Sequence, residues 1–82
     1  MGKQDKREQR IWQNPRNVSL KDFESLINQY GEIIEGHSHP KAHIANHIYP
    51  YKRENPVKGW YVDQILRFIN EVKKEWKLWI LI

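Results

Sequence analysis

At 82 residues, with 39% hydrophobic and 29% charged side chains, the chain is long enough for one small core and too short for two. It contains no cysteine, which excludes disulfide staples, thiol nucleophiles and Cys-ligated zinc. Fourteen basic against ten acidic residues leave a net +4, a mild lean toward a polyanionic partner.

Residues 1–13 are polar, with Lys3, Lys6, Arg7 and Arg10 against Asp5 and Glu8. They read as a basic N-terminal arm or a short helix, with Trp12 as its one large anchor. Either a phosphate-gripping arm or a solvated tail fits this composition. The segment lacks the apolar core of a signal peptide. Asn14-Pro15 then breaks the chain, because proline disfavours a helical residue before it. Residues 14–82 read as a single domain.

Ser19 predicts an N-cap, with Asp22 in the first helical turn, where a carboxylate meets free backbone donors. Leu20, Phe23, Leu26, Ile27 and Tyr30 then recur at helical spacing, and Gly31 is the expected stop because it tolerates the left-handed conformation. Glu32–Glu35 reads as a short strand closed by Gly36. Two further strands are expected near Lys41–Ala45 and His47–Tyr51, joined by a tight turn at Ala45-Asn46. Pro40 and Pro50 limit both strands. Residues 52–57 form a polar loop. A last helix starts near Gly59 or Trp60, with Val62, Ile65, Leu66, Ile69 and Val72 as its buried stripe. Trp60 and Tyr61 read first as helix-packing residues, with base stacking as the second reading.

The order helix, three strands, helix predicts an α+β domain. Its economical packing is a three-stranded antiparallel sheet with two helices on one face. Trp76, Trp79, Ile80, Leu81 and Ile82 give the last helix an apolar end, which either packs internally or docks a partner or second copy. The most apolar run, residues 78–82, falls far short of the roughly 18–20 residues that span a bilayer. A cytoplasmic protein is expected.

All four histidines, His37, His39, His43 and His47, fall within 11 residues. Strand alternation places Ala42, Ile44 and Ile48 on one parity, facing the helices. It places His39, Lys41, His43, His47, Tyr49 and Tyr51 on the other, an open face of imidazole, ammonium and phenol groups suited to RNA. Three uses compete for the histidines: a solvated surface, a zinc site, or acid/base chemistry on a ribose 2′-hydroxyl. Spacing alone does not choose between them.

Three stretches bear on the choice. Asn14-Pro15-Arg16-Asn17-Val18-Ser19-Leu20-Lys21-Asp22-Phe23 leads into the first helix. Glu35-Gly36-His37-Ser38-His39 follows the first strand. Asn55-Pro56-Val57-Lys58-Gly59-Trp60-Tyr61-Val62-Asp63-Gln64-Ile65-Leu66 opens the last helix. In order and spacing they resemble the HicA family of bacterial toxins, small ribonucleases of toxin–antitoxin pairs. The resemblance covers about residues 14–72.

It implies a double-stranded-RNA-binding-like fold, mRNA cleavage through one histidine, and neutralisation by a HicB-like antitoxin. It places the catalytic histidine at His39. Members usually show Gly-Ser-His followed by another His or a bulky residue. Here His37 precedes Ser38 and Pro40 follows His39, which makes His37 the alternative. The expected RNA contacts are Lys41, His43, His47, Tyr49, Tyr51, Lys52, Arg53 and Lys58, with no cofactor and no metal. A non-catalytic RNA-binding or protein-interaction module on the same fold is the second reading, and a zinc-binding histidine domain the third.

Overall fold

A computed structural model describes the backbone of residues 3–81 and the side chains of residues 6–74. The elements run α1 (Lys3–Gln13), α2 (Leu20–Tyr30), β1 (Glu32–Ile34), β2 (Lys41–Ile44), β3 (His47–Pro50) and α3 (Gly59–Leu81). The three strands form one antiparallel sheet in the order β1-β2-β3. No helix among the described residues is long and apolar enough to cross a membrane. The apolar end at Trp76, Trp79, Ile80, Leu81 and Ile82 lies outside the described side chains.

The Ser19 cap of α2 operates as expected, whereas Gly31 ends the helix with φ −166°, extended and not left-handed, and is required instead by the close approach of the His43 carbonyl. The Ser19 Oγ accepts from the Asp22 N–H at 3.1 Å, and the Gly31 N–H donates to the Ile27 carbonyl at 2.7 Å. A further free donor at the helix start, the Leu20 N–H, is met from a distance by Asn55 Oδ1 at 3.2 Å. Beside it the Val57 N–H bonds the Val18 carbonyl at 2.9 Å. The loop before α3 is thereby tied to the start of α2.

Phe23, Leu26 and Ile27 of α2 share one core with Ala42 and Ile44 of β2 and with Val62, Ile65, Leu66, Phe68, Ile69 and Val72 of α3. Phe68 joins the stripe expected for α3, one position ahead of Ile69, because it meets side chains arriving from β3.

Residues 1–13 are not a free arm where they are described. Helix α1 packs against α2 and buries Ile11, whereas Trp12 is exposed. The second anchor is a charge. Glu8 is only 7% exposed and accepts from the Tyr30 hydroxyl, the Lys73 ammonium and the Trp12 indole N–H, the last at 3.1 Å. One carboxylate thus joins α1, α2 and α3. Arg7 and the exposed Arg10 also pair with Asp22 of α2, at 3.4 and 3.7 Å.

Burial pushes the Glu8 carboxyl up, but the hydrogen bonds from Lys73, Tyr30 and Trp12 outweigh it and hold the group below its ordinary 4.5. A folded-state value below the unfolded one gives stability that is complete above about pH 4.5 and fades as pH falls through the lowered value. Glu8→Gln should therefore lose about 2 kcal/mol at neutral pH, the scale of hydrogen bonds to a charged group. The deficit should shrink in urea melts run at about pH 3, where the wild-type carboxyl is itself protonating.

The β2–β3 hairpin corrects the expected faces. Its register pairs Ile44 with His47, His43 with Ile48, Ala42 with Tyr49 and Lys41 with Pro50. Two turn residues lie between the paired ends, so the side-chain parity reverses from one strand to the next. Ala45 takes φ 54°, the left-handed conformation that a two-residue hairpin turn demands. His47 and Tyr49 therefore share the core-side face with Ile44 and Ala42. Ile48, expected in the core, is 58% exposed beside His43.

Candidate active site

The parity reversal separates the histidines. The His47 ring stacks on Phe68 with centroids 4.2 Å apart, and its Nε2 lies 2.7 Å from a Glu71 carboxylate oxygen. His43 is on the opposite face, its Nδ1 3.3 Å from Glu32 of the neighbouring strand. His37 and His39 are exposed on the loop between β1 and β2. Among the described residues, no group of three or more His, Asp or Glu side chains converges to hold a metal.

His39 borders a pocket of about 280 Å³ lined also by Tyr49, Pro50, Tyr51 and Tyr61. His37 is not among its walls. Among the described residues the His39 ring has no hydrogen-bond partner, so both nitrogens are open to an incoming ligand.

The loop that carries His39 is fixed at several points. A Cβ on Gly36 would stand 2.7 Å from the His39 carbonyl oxygen, so only glycine lets the chain fold back this closely. Pro40 is buried, and its carbonyl accepts the Tyr51 N–H at 3.0 Å. Glu35, just ahead of Gly36, is gripped by both guanidinium arms of Arg53, one at 3.1 Å. The same guanidinium reaches Glu24 of α2 at 2.8 Å.

Arg53 is therefore not a spare phosphate contact. Its charge is matched by two carboxylates, and it straps the His39 loop to α2. The pairing holds Glu35 below the usual carboxylate range and raises Arg53 further.

Tyr51 is also placed differently from expectation. It is 1% exposed, its hydroxyl donates to Glu24 at 2.5 Å, and Phe23 meets its ring edge-on at 5.0 Å. Burial, then the bond to Glu24, pushes the phenol up from its ordinary value. Tyr51 forms pocket wall, not an open stacking platform. Tyr49 is half-buried, edge-on to Tyr61 at 6.1 Å and to Phe68 at 6.0 Å.

The remaining cations divide. Lys52 pairs with Glu54 at 3.1 Å. Lys41 is exposed, two residues beyond His39 and directly across from Pro50, with no ion pair among the described residues. Lys58 lies over the Trp60 ring at 4.8 Å, and Trp60 in turn touches Tyr61 with centroids 5.8 Å apart.

Tyr61 is the wall residue that sequence signals assign least well. At a helix start its side chain reads as packing, and only the arrival of Tyr49 from β3 turns it into one side of a pocket. Among the described residues the arrangement assembles an unpartnered imidazole and three phenol rings from three separate segments, with the Lys58 ammonium on the Trp60 ring next to Tyr61. Such a set can move a proton beside a bound polyanion. No protein-family model, curated protein or solved structure matches the chain.

Proposed function

We propose that the chain is a HicA-type endoribonuclease that cleaves mRNA on a double-stranded-RNA-binding-like fold in the cytoplasm, and that a HicB-like antitoxin neutralises it. The observation that carries the reading is His39, exposed and without a hydrogen-bond partner among the described residues, at the edge of the tyrosine pocket with Lys41 two residues on in the chain. RNA supplies its own nucleophile, so the chemistry needs one proton-transfer group and charge stabilisation. His39 takes the proton from the 2′-hydroxyl while water protonates the leaving 5′-oxygen, or gives its proton to the 5′-oxygen while water takes that of the 2′-hydroxyl. The 2′-oxygen bonds to phosphorus as the 5′-oxygen departs, leaving a 2′,3′-cyclic phosphate and a 5′-hydroxyl end. Lys41 offsets charge gathering on the phosphoryl oxygens.

Purified protein incubated with RNA in EDTA should release fragments with those two ends. Intact RNA, or cleavage that requires an added metal, would overturn the proposal. Tight RNA binding with no cleavage would leave the non-catalytic module in its place.

A further inference from the structure

We infer that the tyrosine-walled pocket beside His39 holds one unpaired nucleobase of the RNA strand, so that the protein selects single-stranded over duplex RNA. The inference takes its ligand class from the ribonuclease reading and adds a binding site to it. The pocket volume of about 280 Å³ suits a single flat ring system better than a long side chain or a folded partner.

Tyr49 and Tyr61 offer partly exposed aromatic surface, the feature that bases of any sequence share. The walls are also held before any ligand arrives. Tyr51 is fixed by Glu24 and Phe23, and Tyr49 is wedged between Tyr61 and Phe68. Little rotamer freedom remains to be lost on binding. Among the described residues the Tyr49 and Tyr61 hydroxyls make no hydrogen bond, so each can meet the polar edge of a base.

Charge complementarity points the same way. Lys58, seated on Trp60, approaches the Tyr61 side. A strand whose base enters beside Tyr61 would place a flanking phosphate near that ammonium group. A base stacked within a duplex is not free to enter without being unpaired first.

The test uses 2′-O-methyl RNA, which lacks the attacking hydroxyl, so that binding is read without cleavage. Fluorescence anisotropy with wild-type protein should show the single strand binding at least about tenfold tighter than a duplex of the same sequence. Tyr61→Leu keeps apolar bulk but removes the ring face, and should weaken single-strand binding roughly 5- to 100-fold. Tyr61→Phe, which keeps the ring face and loses only the hydroxyl, should weaken binding far less than Tyr61→Leu.

Equal affinity for single strand and duplex would overturn the pocket assignment, even if the protein cuts RNA. So would an unchanged affinity in a folded Tyr61→Leu protein. If Tyr61→Leu does not fold, the strand preference of the wild type decides. Single-strand preference with Tyr61 dependence, but no cleavage of ordinary RNA, would keep the pocket and defeat the ribonuclease reading.

Discussion

His39→Ala is expected to lower the rate of RNA cleavage by roughly 10²–10⁴-fold, the range for loss of a positioned general acid or base. The melting temperature should stay near that of the wild type. The reason is structural: the ring is exposed and makes no hydrogen bond among the described residues, so the fold does not draw on it. His37→Ala gives the matched comparison. It removes the same chemistry from the same loop, at a position outside the pocket walls. It should keep most of the activity. A wild-type rate in His39→Ala would end the assignment, and a collapse confined to His37→Ala would transfer the role to His37.

The second large effect concerns folding. Gly31→Ala should cost about 3 kcal/mol, at the upper end of overpacking penalties. A Cβ at this position would stand 2.0 Å from the His43 carbonyl oxygen and 3.1 Å from the Ile44 Cα. Both are backbone atoms, so no side chain can swing aside. The helix end or strand β2 must move, and β2 is the centre of the sheet. In a domain of this size each kcal/mol lowers the melting temperature by roughly 4–8 °C, so a thermal scan should register the change plainly. A melting temperature within about 2 °C of wild type would mean that the α2–β1 corner is far more pliable than the packing implies.

Much of the architecture was legible because its signals are local. Ser19 and Asp22 mark the start of α2 by chemistry acting within a few residues, whereas Gly31 marks its end for a reason that lies across the chain at His43. The spacing of Val62, Ile65, Leu66, Ile69 and Val72 marks the buried stripe of α3. The positions of the three strands also follow from β-branched and proline residues.

What alternation could not supply was the phase across the Ala45-Asn46 turn. That depends on how many residues lie between the paired ends, and a shift of one moves His47, Tyr49 and Tyr51 between faces. Glu8 and Arg53 were illegible for a different reason. Charged residues in polar runs carry no mark of burial or pairing. Their partners, Lys73, Glu24 and Glu35, lie well away in the chain. Of the site itself, His39 could be singled out by motif. Its setting could not, because Tyr61 belongs to the pocket only once β3 and α3 have met.

The two-residue turn at Ala45-Asn46 acts as a sorting device for the second half of the hairpin. With one residue more or fewer, His47 and Tyr49 would emerge on the outer surface and Ile48 would swing inward. The amino-acid composition would hardly change, yet the wall beside His39 would disappear and a row of aromatics would be presented to solvent instead. Chains of this architecture can therefore diverge in what they recognise through a single insertion or deletion at a surface loop, a change that sequence comparison would score as trivial.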